Sequence, residues 1–163
     1  WWQGEGSAAR PIDELRGRTV LAAAGLKRLG LKERIRSVFE PEVMIPAAGQ
    51  GALGIEVRED ATDLRALLAQ TIHHPTFLAA HAERAVSRAL GGSCSMPLAA
   101  HAVWQGGTLH LRAALGDSED VRRPLLHTAV SGVPVDEASA RMLGEQAAAQ
   151  LRAAGAGAYL PPA

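Results

Sequence analysis

Leu98-Ala99-Ala100-His101-Ala102-Val103-Trp104-Gln105-Gly106-Gly107-Thr108-Leu109-His110-Leu111-Arg112-Ala113-Ala114-Leu115 is the stretch on which the fold turns. Leu109, Leu111 and Ala113 alternate with His110, Arg112 and Ala114, the period of two that a half-buried strand requires. Leu98 to Trp104 is a comparable apolar run, and Gly106-Gly107 between the two supplies residues that tolerate a tight hairpin turn. A third strand, with a weaker pattern, is expected over Leu125 to Val130.

Outward from the hairpin the period changes. Pro75 to Leu90 repeats apolar residues at helical spacing, with Phe77, Leu78, Ala82, Ala85, Val86 and Ala89 expected inward, and Gly91-Gly92 ends it. Asp60 to Ile72 is a second helix candidate, with Asp60 as cap and Leu64, Leu67, Leu68 and Ile72 as its apolar stripe. Pro134 to Ala154 is an alanine-rich helix opened by Asp136-Glu137 and closed by Gly155 and Gly157. Helix, helix, strands, helix over residues 60–157 predicts a small α+β domain with an antiparallel sheet and its helices on one face.

The earlier part is less regular. Residues 1–18 read as a lead-in. Thr19 to Ala24 reads as a short buried strand or a helix entry, and Glu33 to Phe39 as a helix stopped by Pro41. Val43 to Pro46 and Leu53 to Arg58 read as extended runs on either side of a loop.

That loop contains Gly49-Gln50-Gly51-Ala52-Leu53-Gly54, a literal dinucleotide fingerprint. The fingerprint works where its glycines lead into a helix whose N-terminus meets the pyrophosphate. Ile55-Glu56-Val57-Arg58 favours extension instead, so a glycine turn is expected and an oxidoreductase is the weaker alternative. The single cysteine, Cys94, is flanked by serines in Gly91-Gly92-Ser93-Cys94-Ser95-Met96-Pro97. Two readings stand for it, a small buried hydrophobe or a functional thiol on a glycine-tethered loop. The six histidines lack the spacing of a helical metal site, so no metal is expected. Glu83-Arg84 reads as an exposed surface pair.

Composition narrows the classes. The chain has 163 residues, is 47% hydrophobic and carries a formal net charge of zero, which gives no sign of nucleic-acid binding. One cysteine allows no internal disulfide, and no apolar stretch reaches the length of a membrane span. The opening Trp1-Trp2 suits a truncated or processed product.

Several segments together resemble the porphobilinogen deaminase (hydroxymethylbilane synthase) family. Leu21 to Leu31 looks like the end of its second domain, and Ile45-Pro46-Ala47-Ala48-Gly49-Gln50-Gly51-Ala52-Leu53-Gly54-Ile55-Glu56 like its P-x-x-G-Q-G-x-x-G-I-E motif. His73-His74 followed by Ala82-Glu83-Arg84-Ala85 matches in order and spacing, and Gly91-Gly92-Ser93-Cys94 followed by Pro97 is similar to its cofactor-attachment loop.

The resemblance implies three parts. Residues 1–18 would be unmatched; 19–59 would be the end of domain 2 and a return strand into domain 1; 60–163 would be the cofactor-bearing third domain. The preceding segment would be a remnant of α/β domains like those of periplasmic binding proteins. It implies a covalent dipyrromethane on Cys94, with Arg28, Gln50 and Gly51 beside it. The substrate would be porphobilinogen, four molecules of which are joined head to tail with loss of ammonia in tetrapyrrole biosynthesis. The setting would be a cytoplasmic monomer with neither nucleic acid nor membrane as partner. The family's catalytic aspartate would lie in an N-terminal half outside this sequence, so inactivity of the chain alone is expected. A non-catalytic interaction module built on the same domain is the alternative.

Overall fold

Gly106 and Gly107 both adopt left-handed backbone, φ 56° and 81°, and fold the chain back on itself in a two-residue turn. The computed structural model describes residues 20–92, 96–120 and 122–160, and the chain divides into two compact units between Met44 and Ile45. The hairpin pairs β1 (Leu98–Gln105) with β2 (Thr108–Leu115), Gln105 facing Thr108 and Leu98 facing Leu115. β3 (Leu126–Gly132) adds antiparallel to β2, giving the order β1-β2-β3.

One face of this sheet presents Ala100, Ala102, Leu111, Ala113 and Val130, all buried. Two helices cover it: α3 (His74–Ala89) lies over β1, and α4 (Glu137–Ala153) lies over β3 and against α3. Small residues let the helices approach closely. A Cβ on Gly144 of α4 would stand 2.2 Å from the Ala82 carbonyl oxygen of α3, so only glycine fits there. Leu109, Leu111, Leu115 and Leu151 are fully buried, each worth about 2 kcal/mol of transfer free energy.

The helix ends follow their sequence signals. Asp136 caps α4 by accepting from Ser139 N at 2.8 Å, while Ser139 Oγ accepts from Asp136 N at 3.1 Å. Gly91, φ 73°, follows the end of α3, and Gly155, φ 99°, follows α4. The guanidinium of Arg152 also donates to the Ala89 carbonyl, joining the C-terminal ends of both helices. The α+β domain with helices on one sheet face thus forms as the alternation and glycine signals predict.

Residues 20–72 follow the expectations in part: one helix does start within 19–24 and another lies within 60–72, while the remainder differs. Val20 and Leu21 are exposed, and the first helix, α1 (Ala23–Arg28), has only six residues. No helix spans 33–39: a single 3-10 turn, Lys32–Arg34, ends where Ile35 becomes extended. No strand forms at 43–46, because the Val43 and Met44 amides turn back to the Glu40 carbonyl. Leu53 to Arg58 runs without regular structure. α2 (Thr62–Ala69) begins without Asp60, whose carboxylate instead takes two hydrogen bonds from Arg58. Its Leu64 and Leu67 are exposed rather than inward.

Candidate functional site

Within the second compact unit, the Gly-Gln-Gly turn is tied to the sheet at its open edge. β1 is an edge strand, so its outward amides need acceptors from elsewhere. The Ala100 amide donates to the Pro46 carbonyl at 3.0 Å. The Ala102 amide donates to Oε1 of Glu83 at 2.7 Å, and the other oxygen, Oε2, accepts from the Gly49 amide, also at 2.7 Å. Nδ1 of His101 stands 3.6 Å from Oε1. One carboxylate therefore joins α3, β1 and the turn.

Glu83 is the principal correction at this site. Instead of being a surface residue, it is 7% exposed, between fully buried Ala82 and 3% exposed Ala85. Its exposed neighbour Arg84 follows the expected pattern, with only its stem near Gly49. A signal was present: position 83 flanks the stripe of Leu78, Ala82, Ala85 and Val86, where a carboxylate must find donors or carry a desolvation cost of several kcal/mol. Spacing alone could not name those donors, because both are backbone amides.

Gly49 takes φ 75°, a left-handed conformation that suits glycine, and places Gln50 and Gly51 at the surface. The Gly49–Gly54 segment is a turn followed by irregular chain, and α2 does not begin until Thr62. The helix a dinucleotide site requires is therefore missing from this position. Arg28, at the end of α1, is exposed and belongs to the first compact unit. Cys94 lies outside the described residues. Those on either side are Gly92, whose amide donates to Ser87 O at 2.8 Å, and Met96, which packs against the core. A Cβ on Gly92 would stand 2.1 Å from Ser87 Oγ, so the chain leaves α3 over a position that has no room for a side chain.

The histidines serve local contacts. His73 Nδ1 lies 2.8 Å from Thr76 Oγ1 at the start of α3, and His110 Nδ1 lies 2.8 Å from Ser131 Oγ across β2 and β3. Among the described residues no three His, Cys, Asp or Glu side chains cluster as metal ligands. None of the described helices is long and apolar enough to cross a membrane.

A different cluster closes the C-terminal end. Arg123 donates to Asp117 at 2.9 Å and stacks 4.0 Å over the Tyr159 ring, whose hydroxyl donates to Pro124 O at 2.8 Å. The Arg123 hydrogen bond, followed by those from the Asp120 and Glu119 amides, holds the Asp117 carboxyl below the usual carboxylate range. These groups lock the last turn against the loop before β3.

Comparison with known proteins identifies the lineage. A family model described as porphobilinogen deaminase, dipyromethane cofactor binding domain, matches residues 10–66, which takes in residues 10–18 of the lead-in expected to be unmatched. One described as porphobilinogen deaminase, C-terminal domain, matches residues 77–153. Among curated relatives, the porphobilinogen deaminase of Albidiferax ferrireducens is 59% identical over 83% of this chain and 42% of its own length. That of Ralstonia nicotianae is 55% identical over 88% of this chain and 45% of its own. That of Paraburkholderia phytofirmans is 54% identical over 84% and 40%. The chain spans less than half the length of these relatives, corresponding to their C-terminal part. With two consecutive family models matched in order and relatives above one-half identity, the chain belongs to the porphobilinogen deaminase family.

Proposed function

We propose that this chain is the cofactor-bearing C-terminal part of a hydroxymethylbilane synthase, with Cys94 as the attachment point of a dipyrromethane. The observation that carries the reading is that Cys94 falls inside the 77–153 match to the family's C-terminal domain. The residues present suit such a group. Gly91 and Gly92 lead out of α3 with no side chain on either, the second because none fits, and a soft thiolate forms a durable thioether with a carbon electrophile. When bound, the dipyrromethane supplies the free pyrrole carbon to which porphobilinogen units are added.

The chain's own residues then have limited tasks. Cys94 holds the primer. Arg28 is suited to clamping pyrrole acetate or propionate carboxylates, since a guanidinium offers paired donors. Gln50 and Gly51 would place the turn's surface beside the pyrroles. Residues 19–59 would be the end of domain 2 and the return strand into domain 1, and 60–163 the third domain, in a cytoplasmic monomer. The exposed apolar residues of 20–59, among them Leu29, Phe39, Leu53 and Ile55, support that reading, because a remnant of other domains keeps surface that those domains cover.

The test is porphobilinogen consumption by the purified chain, by a full-length relative, and by a chimera carrying the relative's remaining N-terminal part on this chain. The chain alone should be inactive, since losing charge-stabilising groups costs orders of magnitude in rate. The chimera should consume porphobilinogen, carry a pyrrole adduct by intact mass, and lose both on Cys94→Ala. A folded chimera without turnover would overturn the proposal. Turnover by the chain alone that disappears on Cys94→Ala would overturn its fragment status.

A further inference from the structure

We propose that Glu83 is a positioning residue that sets the direction of the Gly-Gln-Gly turn, a role that rests on the proposed function for its purpose. The turn reaches the sheet edge at two points. One is direct, Pro46 O accepting from the Ala100 amide at 3.0 Å; the other runs through Glu83, which accepts from Ala102 and Gly49 at 2.7 Å each. Ala100 and Ala102 are alternate residues of β1, so one outward amide of this stretch goes to Pro46 and the next to Glu83, whose other oxygen holds Gly49.

A carboxylate is the group this geometry requires. Its two oxygens accept from two N–H donors at once, and charge makes such bonds about twice as strong as neutral ones. Gln offers one acceptor oxygen and turns an amide NH2 toward the second N–H, which repels it. With Ala102 fixed in the ladder with β2, the turn is the partner free to move away. Gly49 immediately precedes Gln50 and Gly51, so the angle at which those two meet a ligand follows from the bond to Glu83.

The experiment is amide exchange and proton shifts by NMR on the 163-residue chain, with Glu83→Gln and Glu83→Ala beside it. In the unmodified chain the Gly49 amide should be protected and shifted downfield. In Glu83→Gln its exchange should rise about tenfold or more, with new shifts at Gln50 and Gly51, while Leu111 and Val130 in the sheet keep their rates. A residue that only stabilised the fold would speed the turn and the sheet together. Glu83→Ala should release the turn further; if its sheet amides also lose protection, Glu83→Gln decides. Gly49 exchanging as an open loop in the unmodified chain, or unchanged in Glu83→Gln, would overturn the inference. An inactive chimera beside a protected Gly49 amide overturns the functional reading alone. An active chimera beside an unprotected Gly49 overturns the positioning role alone.

Discussion

Residues 20–72 and residues 74–160 use similar apolar residues to opposite ends. In the second stretch Leu78, Val86, Leu109, Leu111, Leu115, Val130 and Leu151 are buried against one another. In the first, Leu29, Phe39, Leu53, Ile55, Leu67 and Ile72 are exposed, and no described residue before Leu78 is buried. Composition does not separate the two; partners do. A strand or helix with an apolar face closes a core only where the same chain supplies the opposing layer. α3, the sheet and α4 supply it for each other; in residues 20–72 Ala48 packs against that core, but no described residue there is itself buried.

The sharpest test removes one of those layers. Leu111→Ala at the centre of the sheet should cost about 2–5 kcal/mol in urea denaturation, since the cavity forms where three elements meet. Loss of less than about 0.5 kcal/mol, the range of ordinary surface changes, would mean the core is not where the comparison puts it.

Next is Gly144→Ala. Alanine is the better helix former by about 1 kcal/mol, yet its Cβ would overlap the Ala82 carbonyl. Net destabilisation of about 1–3 kcal/mol is expected, because α3 and α4 must separate. A rise in melting temperature would show that the helices do not approach so closely.

A smaller effect appears only in acid. Asp117 titrates below its unfolded value because Arg123 and two amides bind its ionised form. Its contribution to stability is therefore whole above the unfolded value, near about 4, and lost as pH falls through the lower folded one. Asp117→Asn should be less stable than the parent at neutral pH, with the difference shrinking toward zero on acidification. A difference that grows in acid would reverse the sign and remove Arg123 as the cause.

The smallest effect is expected in the first region. Leu67→Ser on α2 should change stability by no more than about 0.5 kcal/mol in this chain, and less aggregation in light scattering should accompany it. A loss above about 1 kcal/mol, the usual cost of a destabilising change, would mean that residues 20–72 have a packed layer after all.

These regions also differ in how far the sequence could be read. The hairpin, α3 and α4 follow from alternation, glycine pairs and the Asp136 cap, signals complete within a few residues. Residues 43–46 and 53–58 carry apolar runs that a sequence reads as strands, but a strand needs a ladder and none forms there. Asp60 was a sound cap candidate and lost to Arg58, two residues away. Glu83 was visible as a charge beside an apolar stripe, while its tie to Gly49 spans 34 residues that no local pattern encodes. The Gly-Gln-Gly turn is visible as a motif; the carboxylate that holds it to β1 is not.

The turn at Gly106-Gly107 has a practical side. Both glycines are exposed, and the ladder of β1 with β2 is already complete at Gln105 and Thr108. Residues inserted between them lengthen a loop without breaking a pair, and each doubling of that loop costs only about 0.6 kcal/mol. An epitope or a fluorophore-binding peptide placed there should leave the domain folded, and gives a handle at the opposite end of the hairpin from Leu98 and Leu115.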